Sequence, residues 1–294
     1  MNILTHVNWG HEVGHILGFE WERKHFSLLW AGEEARIIAL ARKTLPTGIS
    51  TADANIKTAQ FLTKTMLLTQ RAFSEFISDA VGVHIFGPAA LASLAEFSCR
   101  YSLDEDPAES NGYPPWRLRL RRIGGGLTVK MTAISRLVWH RKLVRFMQWT
   151  RQWEALTKVT SDQVVIASDP RCAEAYRIVD THWRDVWQKV LEQLPLSLRA
   201  PYDLASRHDA VGNLIDRIGR GLPPNEYGRW PNMQTALIAD IWNAAWACKV
   251  TRTVSSADEY DDHLRMLFHL TLKAIEASHI QRTFGNNIPQ AEPI

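Results

Sequence analysis

The chain contains little cysteine. Cys99, Cys172 and Cys248 are the only three among 294 residues, and none of them belongs to a Cys-x-x-Cys motif. An odd number of widely separated thiols argues against a disulfide framework and against a zinc site built from thiolates. It also indicates a reducing compartment, so we expect an intracellular protein.

Long apolar runs are also missing. Residues 80–97 form the most apolar stretch, but His84, Gly87 and Glu96 interrupt it, which favours buried helices over a membrane span. The first ten residues are too short and too polar to contain the apolar core of a signal peptide. We therefore predict a soluble, cytoplasmic protein without a membrane-spanning segment.

The chain has no large excess of charge of one sign. Its formal net charge is +3, which by itself does not indicate a nucleic-acid-binding protein. With 294 residues, 46% of them hydrophobic, the chain is long enough to bury a sizeable core in one large domain or in two smaller ones.

Strand-type alternation is hard to find, whereas apolar residues at three- and four-residue spacing recur along the chain. This pattern predicts a mostly α-helical fold. The predicted helical stretches are 28–44, 51–69, 71–86, 88–100, 127–159, 171–194, 202–218, 233–250 and 258–284.

Two segments interrupt the helical pattern near the middle of the chain. Residues 101–115 are acidic and rich in turn-forming residues, which predicts a surface loop. Three consecutive glycines at 124–126 follow Ile123 and predict a flexible hinge. We therefore expect two domains, residues 1–123 and residues 127–294.

The most informative short motif is His-Glu-Val-Gly-His at residues 11–15. On a helix, His11 and His15 lie on one face one turn apart, so both imidazoles can reach a single metal ion. A catalytic zinc site uses three protein ligands and leaves one position for water. Glu12 is then the carboxylate that takes a proton from this water as general base.

A third ligand is needed, and two candidates compete. In the metzincin pattern a third histidine stands three residues after Gly18, but Trp21 occupies that place. His25 follows four residues later, and no recognisable Met-turn is present.

The second candidate is the pair Glu75 and Asp79, one turn apart on a predicted helix with apolar neighbours. Glu75 would bind zinc, while Asp79 would accept a hydrogen bond from the far nitrogen of a ligating histidine. A buried carboxylate needs a cation or a hydrogen-bond donor beside it, and a zinc ion bound by two imidazoles would supply the positive charge.

The chain here resembles the gluzincin metallopeptidases of the CAAX-prenyl-protease-like and minigluzincin type. Three segments match in order: His-Glu-x-x-His at 11–15, Glu-x-x-x-Asp at 75–79, and Tyr-Pro-Pro followed by a basic segment at 113–120. The resemblance covers residues 1–123. It implies a zincin-like helical core and zinc-dependent hydrolysis of peptide bonds.

Carried to this chain, the resemblance makes His11, His15 and Glu75 zinc ligands, Glu12 the general base and Asp79 the hydrogen-bond partner of a ligand. Site residues beyond these five are less defined. Tyr113 takes the place of a histidine in the group's His-Pro-Pro segment, so its role toward substrate stays open. His84 and Arg117 are candidates for stabilising an oxyanion.

One departure from the group concerns the substrate. Zincins of this type place a strand-bearing segment before the His-Glu-x-x-His helix, and its edge aligns the peptide. Only ten residues precede His11. We therefore expect a core that lacks most of this sheet, either because the chain is a fragment or because the substrate platform is lost.

Residues 116–151 contain ten basic residues and no acidic one, and Trp139, Trp149 and Trp153 accompany them. Such a segment can bind nucleic acid, hold the acidic segment 104–109, or form a polar helix face that pairs with acids elsewhere. No nucleic-acid-binding motif accompanies it, so we favour the last interpretation. The basic residues are Arg117, Arg119, Arg121, Arg122, Lys130, Arg136, Arg141, Lys142, Arg145 and Arg151.

Two functional hypotheses follow. The first is a zinc metallopeptidase that acts on a peptide or protein substrate, with a helical C-terminal domain that selects substrates or partner proteins. The alternative is a degenerate zincin with a structural metal site, which acts as a binding or scaffold protein through residues 116–153.

Overall fold

The computed structural model describes residues 7–100, 103, 112–126, 133–157 and 169–285. The acidic segment 104–109 and Lys130 lie outside these residues. The described chain is mostly helical, which confirms the predicted fold class. A two-residue antiparallel pair, β1 (Glu226–Tyr227) with β2 (Gln234–Thr235), contributes the strands of the described part.

The helices follow one another in chain order with short connections. They are α1 (Trp9–Trp21), a π-helical turn (Glu22–Phe26), α2 (Ser27–Lys43), α3 (Thr51–Phe86), α4 (Pro88–Ser98), α5 (Trp116–Gly126), α6 (Ala133–Val138), α7 (Arg141–Thr157), α8 (Pro170–Gln193), a 3₁₀ turn (Leu196–Leu198), α9 (Leu204–Gly219), α10 (Ile238–Thr251) and α11 (Ala257–Gly285).

The longest element is α3, which spans 36 residues where the sequence predicts two helices. Its start is fixed by Ser50, whose hydroxyl accepts a hydrogen bond from the Asp53 amide at 3.1 Å. Gln70, between the two predicted helices, is a good helix former and continues the helix. Gly87, with a φ of +62°, ends it because a positive φ favours glycine.

Two other boundaries differ from the prediction. The stretch predicted as one helix at 127–159 is broken between Val138 and Arg141 in its described part. The helix predicted from residue 233 begins only at Ile238, because Gln234 and Thr235 pair with β1 instead.

The side chains of α1, α2, α3 and α8 form one hydrophobic cluster, which we call the site-side cluster. Phe73 of α3 packs in it against Trp21 of α1, and Phe76 packs against Tyr176 of α8. Trp183 and Trp187 of α8 stack on each other at its edge, with ring centroids 6.0 Å apart. The cluster fixes α3 between the N-terminal helices and α8.

A second hydrophobic cluster, the distal cluster, is built from α4, α5, α7, α9, α10 and α11. Trp242 and Trp246 of α10 are buried in it, where helical spacing predicts core tryptophans. Both clusters contain residues from each side of the three glycines at 124–126, which are the last residues of α5. The division into two domains stays a prediction.

No helix within the described residues is long and apolar enough to cross a membrane.

Candidate metal centre

The centre lies where α1 crosses α3, and glycines let the two backbones touch. A Cβ atom built on Gly14 would lie 2.4 Å from the Cα of Ser78, and one on Gly10 would lie 2.8 Å from the Cα of Gly82. Real side chains do not tolerate such distances. The close approach brings His11 and His15 on α1 next to Glu75 and Asp79 on α3.

Three side chains converge as the motif spacing predicts. His11 Nε2 lies 3.8 Å from one carboxylate oxygen of Glu75, and His15 Nε2 lies 3.9 Å from the other. One ligand atom from each of the three residues falls within 4.8 Å of the others. Two ligands of a tetrahedral zinc ion, each about 2.0–2.2 Å from it, are about 3.4 Å apart. Small side-chain rotations therefore suffice to hold a metal ion.

The far nitrogens of both histidines have protein partners. His11 Nδ1 lies 2.8 Å from Asp79 Oδ1, and His15 Nδ1 lies 3.0 Å from the Ser74 hydroxyl oxygen. A protein acceptor at Nδ1 fixes the proton there and leaves Nε2 free to bind an ion. Both Nε2 atoms then face Glu75.

Sequence reasoning found the Asp79 partner but missed Ser74. The helices run in opposite directions, since Gly10 meets Gly82 while Gly14 meets Ser78. A step of one turn from His11 to His15 therefore moves the contact one turn back along α3, from Asp79 to the region of Glu75. Ser74 is adjacent, so an antiparallel pairing of the two motifs would have predicted it.

Arg119 on α5 is the largest omission of the sequence analysis. Its Nε and Nη2 atoms donate to the two Asp79 oxygens at 2.8 Å each, and Nη1 lies 3.1 Å from Glu75 Oε2. The guanidinium also lies over the Trp116 ring, 4.1 Å from its centroid. Arg119 thus supplies the positive charge that the sequence analysis attributed to zinc.

The two carboxylates respond to this cation in different ways. Burial raises the pKa of Asp79, but the charge and hydrogen bonds of Arg119 outweigh burial, and the net pKa is far below the usual range. Burial also raises the pKa of Glu75, and there Arg119 offsets it only in part. Asp79 is therefore the firmly ionised member of the pair.

The two imidazoles are also unequal. Burial lowers the pKa of His11, but the hydrogen bond and charge of Asp79 reverse this effect, and the net pKa is raised. The pKa of His15 is lowered by burial and by the neighbouring His11. His15 is therefore the imidazole more readily available as a neutral ligand.

An open cleft of about 580 Å³ lies over the three side chains. Glu12 is exposed and lines it, as does Tyr113. Five apolar residues also line it. They are Leu94, Phe97, Pro114, Pro115 and Trp116.

The two residues predicted as oxyanion donors do not line this cleft. His84 is buried, and its Nε2 lies 2.9 Å from the Leu198 carbonyl oxygen. It follows Glu75 by nine residues, which at 3.6 residues per turn places it on about the opposite face of α3. Arg117 precedes Arg119 by two residues and therefore points away from it.

The alternative third ligand is not brought to the centre. Trp21 is buried in the site-side cluster, where its ring packs against Phe73 with centroids 5.0 Å apart. His25 lies in the π-helical turn and lines a separate cavity of about 170 Å³ with His182. Within the described residues, the cluster that can hold a metal ion is His11, His15 and Glu75.

The basic segment is used in part inside the protein. Besides Arg119, the guanidinium of Arg122 pairs with Asp180 and lies over the Phe76 ring. Trp139 is buried, and Trp149 and Trp153 pack against the distal cluster. These indoles therefore contribute to the core.

No protein-family profile, curated protein or solved structure matches the chain. A proposed function therefore depends on the geometry of the described residues.

Proposed function

We propose that this chain is a zinc-dependent hydrolase of peptide bonds. One observation carries the proposal: both histidine Nε2 atoms face the Glu75 carboxylate while both Nδ1 atoms are held by protein partners. An exposed carboxylate, Glu12, lies in the cleft over the same three side chains. This combination is what a catalytic metal site needs.

Two imidazole nitrogens and one carboxylate oxygen form a donor set that suits zinc. When bound, zinc acidifies a water molecule and polarises a substrate carbonyl. Glu12 precedes His15 by three residues, and its carboxylate would take the proton of this water as general base. Asp79 and Ser74 keep the two rings in the orientation that directs Nε2 toward the ion.

The cleft also suits a polypeptide substrate. Its volume of about 580 Å³ is in the range of sites that enclose several side chains. The wall formed by Leu94, Phe97 and Trp116 offers apolar surface to a substrate side chain beside the reacting bond.

The direct test combines metal analysis with one substitution. Protein purified without added zinc should contain about one zinc per chain. Glu12→Gln should keep the metal and reduce the rate of peptide cleavage by about 10²–10⁴-fold, the usual contribution of a general base.

Glu20→Gln is the matched control, because Glu20 is on the same helix and its partners are the surface cations Arg23 and Lys24. This variant should cleave at the wild-type rate. Cleavage by Glu12→Gln at the wild-type rate would show that the assigned base is wrong.

A second candidate function is a scaffold protein with a structural site, and Arg119 favours it. Its guanidinium already compensates Asp79 and Glu75, so the cluster is electrostatically satisfied without a catalytic ion. Zinc-loaded protein that cleaves no member of a peptide library would support this candidate over the first.

A further inference from the structure

A second cavity, of about 380 Å³, opens beside the metal centre along α3. We call it the cationic cavity. Its lining includes Glu22, Lys64, Leu67, Gln70, Arg71 and Ser74, together with Gly112.

Three contacts join the cationic cavity to the cleft over the metal centre. The Ser74 hydroxyl, which lines the cavity, lies 3.0 Å from Nδ1 of His15. The guanidinium of Arg71 lies 4.5 Å from the centroid of the Tyr113 ring, which lines the cleft. Gly112 of the cavity directly precedes Tyr113 in the chain. The Arg71–Tyr113 contact thus lies between the two cavities.

The charges in the cavity favour an anion. Lys64 and Arg71 are seven residues apart on α3 and therefore lie on one face. Each has one described carboxylate near enough to feel its charge, Asp169 for Lys64 and Glu75 for Arg71, and neither carboxylate lines the cavity. The one carboxylate in the lining, Glu22, accepts a hydrogen bond from Gln70 at 2.8 Å. Among the described residues that line the cavity, two cations thus face one carboxylate.

The spacing of the two cations fits an extended peptide. Arg71 lies four residues before Glu75, and Lys64 lies eleven residues before Glu75. Along the helix axis, the two cations are therefore about 6 and 16 Å from Glu75. An extended chain advances about 3.3–3.5 Å per residue. A peptide cleaved over Glu75 therefore reaches these cations with side chains about two to five residues from the reacting bond.

We propose that the cationic cavity is a substrate subsite that selects an acidic side chain two to five residues from the bond cleaved at the metal centre. This inference rests on the proposed hydrolase function. A carboxylate in the cavity would lie between Lys64 and Arg71, with the Arg71 guanidinium offering the planar donor pair that suits it.

Matched peptides test the subsite. The probes are quenched fluorescent decapeptides with a central Leu-Leu bond and Gly-Ser flanks, carrying one Glu or one Gln at a position from second to fifth on either side. Zinc-loaded wild type should show a kcat/KM about three- to tenfold higher for the Glu peptide than for the Gln peptide at the preferred position. In Arg71→Gln or Lys64→Gln the Glu/Gln ratio should fall toward one.

Charge reversal gives the sharper result. Arg71→Glu should prefer a Lys peptide over the Glu peptide at the same position while retaining zinc. Arg184→Gln, an exposed arginine on α8 outside the cavity, is the control and should keep the wild-type ratio. Equal kcat/KM values for Glu and Gln peptides at every position in wild type would overturn the subsite.

A binding measurement separates this inference from the proposed function. Fluorescence anisotropy measures the affinity of the same peptides for the Glu12→Gln variant. It therefore detects binding in the subsite whether or not cleavage occurs. Tighter binding of the Glu peptide, lost in Arg71→Gln, would support the subsite even if no peptide were cleaved. Cleavage without any charge preference would leave the hydrolase and remove the subsite.

Discussion

At the residue scale, the two nitrogens of each imidazole have different partners: Nδ1 contacts a protein side chain that orients the ring, and Nε2 faces Glu75. His11 and His15 direct Nδ1 to Asp79 and Ser74, and Nε2 toward Glu75. The Asp79 carboxylate is itself held by two bonds from Arg119. The orientation of the His11 ring thus depends on a chain of contacts that runs from α1 through α3 to α5.

Removing Arg119 tests this chain of contacts. Arg119→Met leaves Asp79 buried without its main cation, so the free energy of unfolding of the metal-free protein should fall by about 3–5 kcal/mol. Urea denaturation followed by circular dichroism measures it. Arg145→Met, at an exposed position on α7, should stay within about 0.5 kcal/mol of wild type. A loss of similar size in both variants would argue against a special role for Arg119.

The raised pKa of His11 predicts how zinc affinity depends on pH. Zinc binds only the neutral imidazole, and a raised pKa means that the proton competes up to a pH above the usual value of 6.5. Affinity should therefore be complete at high pH and fall as the pH decreases through the raised pKa. Competition with a zinc-sensitive dye between pH 8 and pH 5.5 measures this.

In Asp79→Asn the carboxylate that raises the pKa of His11 is gone. The fall in zinc affinity should then begin at a lower pH than in wild type, while the affinity at pH 8 drops about 10–100-fold because a neutral amide oxygen replaces the charged acceptor of the ring. An unchanged midpoint would contradict the assigned cause of the shift.

At the element scale, the crossing of α1 over α3 decides whether the two motifs meet. Gly14 allows it, because the space for its side chain is filled by the backbone of Ser78. Apolar spacing predicted the region of α3 as two helices, and one-turn spacing within each motif placed the histidines together on one face and the carboxylates together on another. Neither spacing indicated how closely the helices approach, since that depends on the absence of a side chain at two positions.

Gly14→Ala should therefore damage the centre. Backbone cannot yield as a flexible side chain does, so α1 must move away from α3, which costs about 1–3 kcal/mol of stability. Zinc affinity should fall at least about tenfold, because the imidazoles move away from Glu75. Isothermal titration and urea denaturation measure the two effects.

Gly32→Ala is the matched control. Gly32 is a helical glycine on α2, and a Cβ atom built there meets nothing within 4 Å. The substitution should stabilise the protein by up to about 1 kcal/mol, since alanine is the better helix former. If both variants bound zinc like wild type, the close crossing would not be needed for the centre.

At the scale of the whole molecule, the two hydrophobic clusters join segments distant in sequence. Val179 of α8 packs against the helix that carries Glu75, and Leu120 of α5 lies in the distal cluster with Trp246. The metal centre therefore depends on residues from both sides of the three glycines at 124–126.

This arrangement predicts the behaviour of a shortened protein. Residues 1–126 alone lack α8, which covers Phe76 and Ile77 in the full chain, so we expect no cooperative unfolding transition and strong binding of an apolar dye. The full chain should unfold cooperatively. A fragment that folds cooperatively and binds zinc would instead support the predicted boundary at the glycines.

The sequence predicted the helical fold class, and it predicted that His11, His15 and Glu75 lie together with Asp79 beside His11. These follow from one-turn spacings and from a family resemblance, both of which are local signals. Arg119 could not be singled out because nine other basic residues share its segment and only the folded chain distinguishes them. His84 does not line the cleft, and the sequence offers the reason, since nine residues after Glu75 place it half-way around α3.

The hydrogen bonds that Arg119, Asp79 and Ser74 form around the centre affect the rate at which it binds a metal ion. The imidazoles and carboxylates are immobilised before an ion arrives, so little conformational entropy is left to lose on coordination. We expect loading of the folded apoprotein to be limited by diffusion of the ion and by release of its hydration water, without a slow rearrangement of the protein.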